Sequence, residues 1–172
     1  MIFTIRKGRH YARPFRFALW WKRKVFTRKV VFANNCKYGL PDDDQLDTNK
    51  LFGVGYLPHH HKDSARFGWR YLPGSGTMEV MAYCYDRGKR IIESVAVVDA
   101  GKLYQLTLNI MQNEYLFSVV DSGGIIIGQT IIAKRHTKKL QYGLWPYFGG
   151  NCTAPHYMTI LIEKNDRTQT LF

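Results

Sequence analysis

Cysteine is scarce in this 172-residue chain, and acidic residues are missing altogether from its first 41 positions. Cys36, Cys84 and Cys152 are odd in number and widely spaced, which excludes a complete disulfide framework and any Cys-x-x-Cys metal or redox motif. Cys84 lies in an alternating run and reads as a small buried apolar residue; a Cys36–Cys152 bridge has no support from spacing. Long apolar runs are missing too. The opening Met1-Ile2-Phe3-Thr4-Ile5-Arg6-Lys7 lacks the apolar core of a signal peptide, and Phe15 to Trp21 is short and interrupted by Arg16, so the expectation is a soluble chain without a transmembrane segment. Asn151-Cys152-Thr153 fits a glycosylation acceptor, a chance match where no secretory signal is seen. Dinucleotide-binding, phosphate-loop, nucleophile-elbow and zinc-finger motifs are absent, as are internal repeats and low-complexity segments.

What is present is 45% hydrophobic and 15% aromatic, enough for one full core and short for two, so a single domain over 1–172 is expected. The net charge of +12 is uneven: residues 1–41 hold 11 Lys or Arg and no acid, while the remainder balances 14 basic against 13 acidic residues. Such a basic third suits nucleic acid, acidic glycans or an anionic surface. The plainer reading is edge strands protected by Lys and Arg, since no recognition helix or RNA-binding aromatic motif accompanies the charge, and no specific nucleic acid partner is expected.

A period of two dominates, and no stretch carries a helical repeat for three turns. Phe15, Phe17, Leu19 and Trp21 alternate with Arg16, Ala18 and Trp20, and Lys22-Arg23-Lys24 turns into a run ending at Phe32, a candidate basic hairpin within 1–41. Further strands are expected at Leu51–Tyr56, Ala65–Tyr71, Met78–Tyr85, Ile91–Val98, Leu103–Ile110, Glu114–Val120, Ile125–Ile132 and Tyr157–Glu163. They read as consecutive hairpins turning at sites such as Asp86-Arg87-Gly88-Lys89 and Asp99-Ala100-Gly101-Lys102. Residues 34–50 and 141–156 read as loops. Ten or eleven strands in this length imply two packed sheets, so the fold class is all-β, a two-sheet antiparallel jelly-roll sandwich.

The runs Tyr83-Cys84-Tyr85-Asp86-Arg87-Gly88-Lys89, Gly101-Lys102-Leu103-Tyr104-Gln105-Leu106-Thr107-Leu108 and Tyr115-Leu116-Phe117-Ser118-Val119 resemble the back-sheet meander of the concanavalin A-like lectin and glucanase superfamily. The ending Tyr147-Phe148-Gly149-Gly150-Asn151, with Ala154-Pro155-His156 and a final strand, is similar to the closing segment of uncharacterised bacterial jelly-roll proteins. The resemblance covers most of the chain beyond residue 50. It implies a fold and a leaning toward carbohydrate, and no activity.

Ligand contacts are expected from Arg66, Arg70, Glu79, Tyr83 and Tyr85, which share one parity on adjacent strands. Arg makes bidentate contacts to carboxylates, and tyrosine rings stack on sugar faces. The competing view is the polar exterior of a half-buried sheet. In Pro58-His59-His60-His61-Lys62-Asp63, imidazole and carboxylate suit a metal or proton transfer, making His59 and His61, with Tyr83, the catalytic candidates and His59, His61 and Asp63 metal candidates; a solvated histidine loop is the plainer reading. Asp42-Asp43-Asp44, with Asp47 and Asn49, offers oxygen ligands for a structural calcium, Asp42 and Asp44 foremost, without EF-hand spacing. The Trp145–Asn151 run reads as packing across the sandwich end rather than as a binding loop.

The paired carboxylates of a retaining glycosidase, and the strand motif of lectin-like glucanases, are lacking. The preferred expectation is a domain that binds an anionic or neutral glycan on a concave sheet face. One alternative is a polysaccharide lyase or other carbohydrate-active enzyme using His, Arg and Tyr, although the Arg-x-Glu-x-Arg and Gln-Ile-His motifs of jelly-roll alginate lyases are missing. The other is a protein-interaction or structural domain.

Overall fold

The computed structural model describes residues 1–164, with the side chains of Asp42 and Asp43 outside that description. Thirteen strands run in chain order: β1 Ile2–Ile5, β2 Ala12–Arg13, β3 Leu19–Trp21, β4 Val25–Phe32, β5 Asn49–Tyr56, β6 Ser64–Leu72, β7 Thr77–Asp86, β8 Lys89–Val98, β9 Leu103–Ile110, β10 Glu114–Val120, β11 Ile126–Ala133, β12 Leu140–Leu144 and β13 Met158–Lys164. A single-turn helix, Asp42–Gln45, lies between β4 and β5. The strands form a seven-stranded sheet ordered β11-β10-β9-β4-β13-β1-β2 and a six-stranded sheet ordered β3-β12-β5-β6-β7-β8. All pairings are antiparallel. The protein is an all-β jelly-roll sandwich.

Alternation places the core. In β6, Ala65, Phe67 and Trp69 point inward, and in β7, Met78, Val80, Ala82 and Cys84 do so, each fully buried. From the opposite sheet Phe117 meets Phe67 edge-on at 5.0 Å, and Phe32 meets Trp69 at 5.2 Å. Burying each large apolar side chain contributes about 1.5–3 kcal/mol, so inward parity is strongly fixed and the other parity must face outward. All three cysteines are free.

Three expectations about connectivity need correcting. The 15–32 run does not form a hairpin: β3 pairs with β12 in one sheet and β4 with β9 and β13 in the other. Gln141 explains the turn's allegiance, because its amide accepts from the Arg23 N–H and donates to the Arg23 carbonyl, both at 3.0 Å, tying Lys22-Arg23-Lys24 to β12. Asp99–Lys102 is likewise a crossing between sheets, since β8 and β9 belong to different ones. The expected loop 141–156 begins as strand β12; Gly143 and the aromatics beside it hid a short run whose partners, β3 and β5, are distant in sequence.

Candidate functional site

The outward parity of the six-stranded sheet carries the polar residues. A register shift in β5 between Lys50 and Gly53 lets both Leu51 and Phe52 point into the core and returns Lys50, Gly53 and Gly55 to the outer side. Gly53 pairs with Arg66, and a Cβ there would drive into the Ala65 carbonyl oxygen and the Arg66 Cα. The missing side chain is the space in which Arg66 sits. Gly55 plays the same part for Tyr142 and His60, whose atoms a Cβ would meet within 2.9 Å.

Arg66 is 6% exposed, and its guanidinium carbon lies 4.9 Å from the Tyr83 ring centre. Its buried Nε–H has no hydrogen-bond acceptor. Beside it the Lys50 ammonium lies 5.3 Å from the Tyr83 ring and 5.7 Å from that of Tyr147, and donates to the Gly149 carbonyl at 2.7 Å. Among the described residues neither Lys50 nor Arg66 takes part in an ion pair. Burial, reinforced by Arg66, holds the Lys50 pKa down at about 8, and burial also lowers that of Arg66, which stays charged nonetheless.

Histidines and tyrosines border this pair of cations. His60 is half-buried, with Nδ1 at 3.3 Å from the Tyr142 hydroxyl; burial and then Arg66 pull its pKa to about 4, so it is neutral at pH 7. The His61 ring sits 4.4 Å from His60 and 5.3 Å from Tyr85, and its pKa is also lowered, first by burial and then by Arg66. Tyr85 lies 5.9 Å from Tyr83, and burial and the Tyr83 hydroxyl push its pKa up. Further along the same face a cleft of about 370 Å³ is lined by Lys50, Arg70, Glu79, Met81, Tyr83 and Arg90, among others.

The structure brings Arg66, Tyr83 and Tyr85 together as the parity predicts. Arg70 and Glu79 share the face but satisfy one another through a 2.6 Å ion pair, with Arg70 also donating to the Leu46 carbonyl. His59 is exposed, its ring 6.3 Å from that of His61. Asp63 is engaged elsewhere: it is buried, pairs with Lys138 at 2.7 Å and accepts from the Arg87 N–H. Asp44 accepts from the Cys152 thiol. Among the described residues no three His, Cys, Asp or Glu side chains gather as a metal would require, so neither set expected for a metal, His59, His61 and Asp63 or Asp44 with its neighbours, is assembled there; the Asp42 side chain lies outside the described residues. Phe148 is buried and Trp145 stacks on Phe3 at 5.7 Å, as the packing reading of that loop expects, while Tyr147 is turned to the site.

The sequence alone does not single out Lys50, His60 or Tyr142 as ligand contacts, and it offers Tyr147 only through the lyase alternative, within a loop read as packing. Lys50 falls outside a simple parity count because of the shift in β5, and Gly53 with Gly55 in one strand was the available signal of close approach. Tyr142 lies in the stretch that reads as a loop because Gly143 interrupts its alternation.

No protein-family model and no curated protein sequence matches this chain. Solved structures resemble it in fold. The alginate lyase AlyC3 superposes with a TM-score of 0.59 at 10% identity over 95% of this chain and 72% of its own. A functionally unknown protein from Saccharomyces cerevisiae gives 0.57 at 9% identity, over 95% of this chain and 85% of its own. An alginate lyase from Klebsiella pneumoniae gives 0.54 at 10% identity over 85% of this chain, which spans 57% of that lyase. Such identities establish a shared fold.

Proposed function

We propose that the outer face of the six-stranded sheet binds an anionic glycan, with a uronate carboxylate received by Arg66 and Lys50 and sugar rings laid against Tyr83, Tyr85 and Tyr147. One observation carries this reading: a buried guanidinium with an unpaired Nε–H stands beside an ammonium, and neither has a carboxylate partner. Burying a guanidinium without an opposite charge is costly, and a ligand carboxylate at the edge of the group supplies that charge. Two of the solved structures sharing the fold are alginate lyases, and alginate is a polyuronate, which agrees with this ligand class. Titration calorimetry of the whole chain with oligouronates and with neutral oligosaccharides tests the proposal. Preference for the uronates, lost in Arg66→Ala, supports it; equal binding of the neutral sugars contradicts it.

A second reading, β-elimination of the bound uronate, is favoured by the neutral His60, which lies beside Tyr142 and feels the charge of Arg66. An imidazole would take the proton next to the carboxylate, the C–H electron pair would form the ring double bond, and the glycosidic oxygen would leave with a proton from a tyrosine hydroxyl. Ultraviolet absorbance of the unsaturated product, abolished in His60→Ala, would establish this reading, and binding without new absorbance would leave recognition alone.

A further inference from the structure

Among the described large hydrophobic residues the four most exposed are Phe15 at 77%, Phe17 at 74%, Tyr11 at 73% and Trp21 at 66%. All four fall in one eleven-residue stretch, with Leu19 at 55% between them. This stretch leaves the edge of one sheet at β2 and joins the edge of the other at β3, and residues 13–17 between are all exposed. The body of the sandwich holds it at both ends: the Ala12 N–H donates to the Pro146 carbonyl, the Gly143 N–H to the Ala18 carbonyl and the Lys22 N–H to the Lys139 carbonyl. Trp20 takes the opposite direction and packs on Phe26 at 4.9 Å. With the inward position already filled by Trp20, the strip at 15, 17, 19 and 21 is displayed to solvent by the fold, and a contiguous exposed apolar strip of this kind marks an interaction surface.

Charge identifies the occupant. Arg13 precedes the strip, Arg16 lies between its first two rings, and Lys22, Arg23 and Lys24 follow it, all exposed, with no acid anywhere in residues 1–41. Behind the second group a cleft of about 360 Å³ is lined by Lys22, Arg23, Lys24, Lys134 and Lys138 among others. Aromatic and aliphatic side chains flanked by cations suit a bilayer interface, where rings settle at the acyl boundary while Arg and Lys stay level with the phosphates. A second copy carries the same positive strip and repels it. A single-stranded nucleic acid needs an unbroken platform of rings for its stacked bases, whereas here Leu19, which has no ring, separates Phe17 from Trp21.

We propose that residues 11–24 form a docking surface for a membrane bearing anionic lipid headgroups. The docking surface adjoins the glycan face, since Leu19 pairs with Tyr142 and the Tyr11 ring stands edge-on to Tyr147 at 5.0 Å, but it does not rest on the glycan reading. The test is co-sedimentation of the whole chain with phosphatidylcholine vesicles with and without phosphatidylserine. Association with the anionic vesicles is expected, at least tenfold weaker for pure phosphatidylcholine. The double change Phe15→Ser/Phe17→Ser weakens it about tenfold, and Arg16→Gln/Lys22→Gln/Lys24→Gln weakens it severalfold and flattens its salt dependence. Arg66→Ala leaves it intact. Unchanged secondary structure by circular dichroism in the double variant assures that the fold is kept. No vesicle association, association indifferent to Phe15 and Phe17, dependence on Arg66, or a stronger Phe15-dependent binding of oligonucleotide than of vesicles each overturns the proposal.

Discussion

Two regions of this molecule combine cations with aromatic rings, and they do so in opposite ways. Around Arg66 the charge is sunk to 6% exposure and enclosed by tyrosines, with its position set by the empty space above Gly53. From β2 to the end of β3 the rings stand in solvent, 66–77% exposed at Phe15, Phe17 and Trp21. A buried guanidinium would select by geometry, because its planar fork accepts a carboxylate only in a matching orientation. An exposed strip supplies adhesion that depends on area and net charge and is tolerant of the partner's detail. Under the two proposals, the same residue types serve selective recognition in one place and surface attachment in the other.

The largest expected effect comes from the glycine that makes the buried site. Gly53→Ala sets a methyl against backbone atoms that cannot step aside, and is expected to destabilise the fold by about 3 kcal/mol in urea titration. Gly74→Ala, where a Cβ meets nothing within 4 Å, should stay within about 0.5 kcal/mol. Equal stabilities would break the claim that Gly53 holds the space for Arg66.

Next in size is ligand affinity. Arg66→Lys keeps the charge and loses the planar fork, so oligouronate binding is expected to weaken on the order of 10-fold, and Arg66→Ala to weaken it on the order of 100-fold, from charge-assisted hydrogen bonds worth about 1.5–3 kcal/mol. Glu79→Gln makes a smaller change of opposite sign. It removes the charge that now neutralises Arg70, so calorimetry should show affinity for the anion rising severalfold.

Acidity separates the regions further. Lys50 is charged below about 8, so oligouronate affinity should fall as pH rises through that value, and the fall should vanish in Lys50→Met. His60 and His136 titrate at about 4 in the folded protein against 6.5 when unshifted, in each case chiefly through burial. Between those values the unfolded chain binds the extra protons, so their contribution to stability is complete above about 6.5 and drains as pH falls toward 4. Urea midpoints at pH 7 and pH 4.5 should show this decline, and His136→Gln should reduce it. The exposed strip should show the smallest stability effect: Phe15→Ser/Phe17→Ser is expected to shift unfolding by less than about 0.5 kcal/mol.

Much of the architecture is legible because side-chain alternation has immediate physical consequences. The runs in β6 and β7 give both the core, through Phe67, Trp69, Val80 and Ala82, and the opposite face, through Arg66, Tyr83 and Tyr85. β9 and β10 begin and end where their alternation does. Pairing between distant segments is less legible, since alternation marks a strand without naming its partner: β3 and β4 adjoin in sequence yet lie in different sheets. The outward display of Phe15 and Phe17 follows from that topology, because β3 is an edge strand whose inward position belongs to Trp20. On the outer face of the six-stranded sheet, Arg66, Tyr83 and Tyr85 are predictable by parity, whereas Lys50 requires knowing the register shift in β5 and Tyr142 requires recognising β12. Whether a charge is compensated also needs the fold, which unites Arg70 with Glu79 and leaves Arg66 without an ion-pair partner among the described residues.

Titration calorimetry with one oligouronate and its carboxyl-reduced counterpart, on the unaltered chain and on Arg66→Ala, tests the central claim most directly. The account predicts binding of the uronate by the unaltered chain, with loss of affinity on the order of 100-fold when either the ligand carboxylate or the guanidinium is removed, and little further loss when both are. Undiminished binding of the reduced sugar, or of the uronate by Arg66→Ala, would contradict it.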